Sequence, residues 1–175
     1  MYALTQMYEA TRDFMELGGT ILTVIAWVTF LMWILILERA LFFYTDLKKQ
    51  IGLVIQAWES RSERMSWEAH QIRDAMLSRM RERTEMFLPM IKTVVSLCPL
   101  LGLLGTVTGM IQVFDVMAVS GTSNARSMAA GVSMATVPTM AGMVAALSGV
   151  FASTWLNRKS ARELEILRES MTTDH

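Results

Sequence analysis

Polar and apolar positions divide the chain into three uncharged runs separated by charged segments: Leu17 to Leu37, Thr93 to Phe114 and Ser127 to Asn157. A helix needs roughly 20 apolar residues to cross the hydrocarbon core of a bilayer, and about 18 without charge already make a candidate span. Each run meets that length, and none shows the alternation over about 10 residues that marks a membrane β-strand. The pattern predicts an all-α membrane protein with three transmembrane helices, TM1 over 17–37, TM2 over 93–114 and TM3 over 127–157. The other segments are a polar tail over 1–16, a long charged loop over 38–92, a short loop over 115–126 and a tail over 158–175.

The long loop also carries helical periodicity. Ile51, Ile55 and Trp58 recur at helical spacing, Ser60, Ser62 and Ser66 mark a break, and Ser66 is placed as an N-cap. Beyond it, Ile72, Met76, Met80, Phe87 and Ile91 trace one apolar stripe. The stripe fits packing against the first loop helix, or a docking face for another subunit. The second loop helix is expected to run on into the second span, with Pro89 near the membrane surface. Leu164 and Leu167 in the tail read as a continuation of the third span. With no strand signals and no linkers, one compact α-helical unit is expected.

Charge orients this arrangement. The net charge is zero, yet ten of the sixteen Lys and Arg lie between Glu38 and Lys92, and Arg158, Lys159, Arg162 and Arg168 lie in the tail. Segments on the cytoplasmic side collect Lys and Arg. The expected topology is therefore N-terminus outside, long loop inside, short loop outside and C-terminus inside. Acidic residues interleave with the basic ones, so no nucleic-acid partner is expected. No Lys or Arg precedes Arg12, and the first apolar run is too long for a signal h-region, so no cleavable signal is expected. Cys98 is the sole cysteine and reads as a small buried residue. His70 and His175 lack ligand-spaced partners. With no phosphate loop, metal-ligand spacing or nucleophile–base set, neither an enzyme nor a bound metal or cofactor is expected.

Chemistry is concentrated inside the membrane. In CPLLGLLGTVTGM (98–110), Gly102, Gly105 and Gly109 share a helical face, and Thr106 sets a hydroxyl beside it. The third run repeats the design with Gly131, Ala135, Gly142, Ala146 and Gly149, and Thr139 falls on the same stripe. Small residues let membrane helices approach closely and hydroxyls bond across the contact. The alternative is that both threonines bond carbonyls of their own helix. Pro99 and Pro138 lie within these runs and interrupt the backbone ladder, as static kinks or as hinges. Neither run holds a titratable Asp, Glu, Lys, Arg or His; Asp115 and Glu38 only border spans. A proton path needs an intramembrane titratable group, so a partner would have to supply it.

These residues resemble a known family. PLLGLLGTVTGMIQVF (99–114) is similar to the second-span signature of the ExbB/TolQ/MotA proton-channel family, and VSMATVPTMAGMVAALSG (132–149) resembles its third-span pattern, with Thr139 and Gly142 at its Thr and Gly positions. Glu38-Arg39 and FLPMIKTVVSL (87–97) fit as well. The resemblance is strongest to short ExbB proteins of TonB energy-transduction systems. It implies a homo-pentameric ring in the bacterial inner membrane around paired ExbD-like single-span subunits whose Asp carries protons, and a TonB-like protein driven by the proton motive force to energise import of iron-siderophore or haem. It places Thr106 and Thr139 as pore-lining hydroxyls. Gly102, Gly105, Gly109 and Gly142 become helix-packing residues, Pro99 shapes the pore helix, and Glu38 and Arg39 are the charges at the inner end of TM1. A TolQ-type motor for envelope maintenance and a passive oligomeric scaffold are the rival readings. Two departures stand out: Met134 occupies a position where many relatives carry Glu, and Pro138 beside Thr139 is atypical.

Overall fold

A computed structural model describes residues 2–61, 63–120 and 125–171. Among these the chain forms four helices: α1 (Tyr2–Glu59), α2 (Trp67–Glu85), α3 (Leu88–Ser120) and α4 (Ala125–Ser170). Three helical stretches are long and apolar enough to cross a membrane, lying within Gly19–Glu59, Trp67–Ala118 and Gly131–Ser170. Part of the short loop (121–124) and the end of the tail (172–175, with His175) lie outside the described residues.

One break divides α1. Gly19 has φ 60° and ψ −158°, a combination essentially reserved for glycine. The long uninterrupted portion of α1 therefore begins after Gly19.

The chain forms two compact units. The first combines Met1–Trp33 with Thr93–Val150. Its core is thin: Leu22, Ile25, Met32, Val95, Cys98, Val113 and Ala135 are buried, and Gly149 fits against Met32 and Val95. Trp27, Leu100, Leu103, Val107, Phe114, Val144 and Leu147 point outward. Only 22% of the most apolar window of the first span is buried within the chain. Contiguous apolar surface on this scale is untenable in water and suits lipid or neighbouring chains.

The second unit combines Ile34–Lys92 with Phe151–His175. Here Phe43, Leu47, Trp58, Ala69, Met80, Leu156, Leu167 and Met171 form the core. The serine-marked break is present: α1 ends at Glu59, and Ser66 caps α2 by accepting the Ala69 N–H at 3.1 Å. Arg73 secures the end of α4, donating from Nε to the Met171 carbonyl (2.8 Å) and from Nη2 to that of Arg168 (3.0 Å). A cation there satisfies last-turn carbonyls and favours the negative end of the helix dipole.

The expected continuous passage from the loop into the second span is corrected. α2 stops at Glu85, Met86 and Phe87 form a turn, and α3 starts at Leu88. Pro89 supplies the reason. It has no N–H to give the Glu85 carbonyl four residues back, and its ring would clash there; in the first turn of a new helix that N–H is not needed. Phe87 takes φ 67° at the joint. Of the apolar stripe, Met80 and Ile91 are buried, while Phe87 is turned partly outward.

Candidate functional site

The two glycine-bearing runs meet within the first unit, α3 against α4. A methyl group on Gly142 would lie 2.5 Å from the Cys98 carbonyl oxygen and 3.1 Å from Gly102 Cα. One on Gly102 would lie 3.0 Å from Thr139 Cα, and one on Gly109 2.8 Å from Ala135 Cα. At Gly105 the space is filled by the Pro138 ring, which is fully buried. The obstacles at Gly102, Gly109 and Gly142 are mainly backbone, so the helices touch main chain to main chain. This is the contact that small-residue stripes permit in membranes.

The two threonines behave differently. Thr139 Oγ1 donates across the crossing to the Gly102 carbonyl at 2.9 Å. Thr106 Oγ1 donates to the Leu103 carbonyl of its own helix at 2.7 Å. Thr108, Thr136 and Ser148 also bond carbonyls of their own helices. Thus one of the paired hydroxyls holds two helices together and the other is satisfied locally.

Beside this crossing lies a groove of about 200 Å³, lined by residues that include Thr20, Thr108, Gln112, Met134 and the backbones of Gly105 and Gly109. At roughly 30 Å³ per molecule it has room for several waters, and its hydroxyls and amide supply partners for them. Thr20, Thr108 and Gln112 are not among the site residues expected from the sequence. A signal was present: Gln112 is the one amide side chain in the second uncharged run, and it continues the face of Gly105 and Gly109 at helical spacing.

Pro99 lies inside α3 and leaves the Val95 carbonyl without its ladder donor. In the second unit, Glu38 and Arg39 separate. Glu38 is exposed, whereas Arg39 is 1% exposed, with its guanidinium 5.0 Å from the Phe42 ring centroid and 5.1 Å from that of Phe87. Its Nε and Nη2 meet no acceptor among the described residues. Arginine over aromatic faces gains cation–π attraction, which partly offsets its lost hydration.

Glycine-mediated crossing, a hydroxyl bridging two apolar helices and a small polar groove beside it are features of a membrane-embedded helical assembly. The chain belongs to the MotA/TolQ/ExbB proton channel family, whose model matches residues 38–169. It is similar to two Synechocystis sp. proteins whose names place them among ExbB-like biopolymer transport proteins. ExbB-like 1 is 41% identical over 61 residues, covering 33% of this chain and 24% of the relative; ExbB-like 3 is 31% identical over 85 residues, covering 47% and 40%. The chain thus spans less than half the length of these curated relatives.

Proposed function

We propose that this chain is an ExbB-type subunit of a proton-driven motor in the bacterial inner membrane, N-terminus periplasmic and C-terminus cytoplasmic. Five copies surround an ExbD-like single-span partner, and the complex energises a TonB-like protein for import across the outer membrane. The chain itself makes and breaks no covalent bonds. The observation that carries the reading is Thr139 at the α3–α4 crossing, its hydroxyl 2.9 Å from the Gly102 carbonyl, in two spans that hold no Asp, Glu, Lys, Arg or His. Hydroxyls and bound water can orient a proton, but a carboxylate must carry it; the Asp comes from the partner. The outward-facing apolar surface of the first unit supports a ring of copies. The family match and the ExbB-like relatives support the motor role.

The test replaces Thr106 and Thr139 together with Val, keeping shape and removing both hydroxyls. TonB-dependent iron uptake is expected to be lost, and Thr139→Ser is expected to retain it. Survival of uptake in the double variant overturns the hydroxyl role. Co-purification separates the rivals: an Asp-bearing single-span protein with TonB supports this reading, Tol proteins support a TolQ-type motor, and neither supports a passive scaffold.

A further inference from the structure

The second unit carries a basic and aromatic cleft that the motor role does not use. α1 contributes Tyr44; α4 contributes Trp155, Arg158, Lys159 and Arg162; together with Glu163 and Ile166 they line a cavity of about 430 Å³. The Tyr44 and Trp155 rings lie 6.4 Å apart, tilted by 30°. Lys159 Nζ sits 3.5 Å from the Tyr44 centroid and 5.1 Å from that of Trp155. Three cations thus face one carboxylate, and both rings are open on their outer sides, Tyr44 at 60% exposure and Trp155 at 45%.

The cleft lies at the limit of the apolar helix. Asn157 ends the third uncharged run, Trp155 is two residues inside that limit, and Arg158 is the first charge beyond it. Tryptophan and tyrosine settle at the level of lipid headgroups, and Lys and Arg there attract anionic lipids. The aromatic pair also holds the ammonium in place, so the cation is preorganised.

We propose that this cleft binds the headgroup phosphate of an anionic phospholipid, with Lys159 and Arg162 as its main ligands, Arg158 in support and an acyl chain running along α4 past Trp155. The site goes beyond the motor reading and requires only that the helices cross a bilayer. Each cation near an anionic surface is worth about fivefold in affinity, so removing two is expected to weaken binding about thirtyfold.

The experiment uses the full chain in nanodiscs of phosphatidylcholine containing a minor fraction of phosphatidylglycerol, with retained lipid counted by native mass spectrometry. Wild type is expected to retain phosphatidylglycerol. The variant carrying Lys159→Gln and Arg162→Gln is expected to lose it, while one carrying Lys48→Gln and Lys49→Gln, with the same charge loss outside the cleft, is expected to keep it. Helical content and melting temperature are read alongside, and variants that match wild type in both are compared. Equal retention by both variants overturns the proposal, as does equal loss, which shows general surface attraction. Inorganic phosphate is a separate arm: if it displaces the lipid at millimolar concentration, the cleft takes free phosphate and the lipid assignment fails.

Discussion

Substituting Gly142 with Ala tests how tightly α3 and α4 are held. The new methyl would stand 2.5 Å from the Cys98 carbonyl oxygen, about 0.9 Å short of the 3.4 Å at which ordinary contact begins. The obstacle is main chain and cannot swing away, so the helices must part by a comparable amount. Parting lengthens the bond from Thr139 to the Gly102 carbonyl from 2.9 Å to nearly 4 Å, beyond hydrogen-bond range. Overpacking a tight contact costs about 1–3 kcal/mol, and an interhelical bond in membranes about 0.6, at most about 1.7 kcal/mol. Less the about 0.5–1 kcal/mol that alanine gains over glycine inside a helix, the expected loss is about 1–4 kcal/mol, read by reversible unfolding in mixed micelles. Gly52→Ala is the control: its methyl meets nothing within 4 Å, and replacing a mid-helix glycine stabilises by about 0.5–1 kcal/mol. If Gly142→Ala unfolds within about 0.5 kcal/mol of wild type while Gly52→Ala behaves as stated, the backbone contact is not what holds the crossing.

Thr139→Val is expected to destabilise by about 0.6–1.7 kcal/mol, and Thr106→Val to leave the same unfolding curve nearly unchanged, because its hydroxyl bonds only its own helix. Arg73→Ala removes donors to the carbonyls of Arg168 and Met171; at about 1 kcal/mol per bond, hydrogen exchange over 167–171 is expected to quicken about thirtyfold. Phe87→Gly and Phe87→Ala both remove the ring over Arg39, but only glycine relieves the positive φ, so the Gly variant is expected to melt as the more stable by about 1 kcal/mol. The reverse order would mean that the turn does not rely on the left-handed conformation.

The spans were legible because lipid admits few charges and demands length, and both requirements are written in composition. Ser66 was legible as a cap because its chemistry is local. The partnership of Gly102, Gly105 and Gly109 with Thr139, Pro138 and Ala135 was only half legible: spacing placed each set on a face, but which faces meet is a tertiary fact. The break at Met86–Phe87 was missed although Pro89 announced it, because the apolar stripe ran through the joint and periodicity outweighed the missing N–H. The groove beside the crossing is not legible in the sequence, because the significance of Gln112 depends on Thr20 from a helix far away in sequence. The cleft at Tyr44 was hidden for the same reason, since its cations come from α4 and one of its rings from α1.

A threonine hydroxyl has one hydrogen and two lone pairs, and Thr139 has already given its hydrogen to Gly102. What it can offer a newcomer is acceptance alone. A protonated carboxylic acid satisfies such a site, whereas an ionised carboxylate is turned away unless the hydroxyl rotates and abandons the bond between helices. The same atom that fastens α3 to α4 therefore distinguishes the two charge states of any acid brought beside it. Arrival of the wrong one would be felt as a loosened crossing.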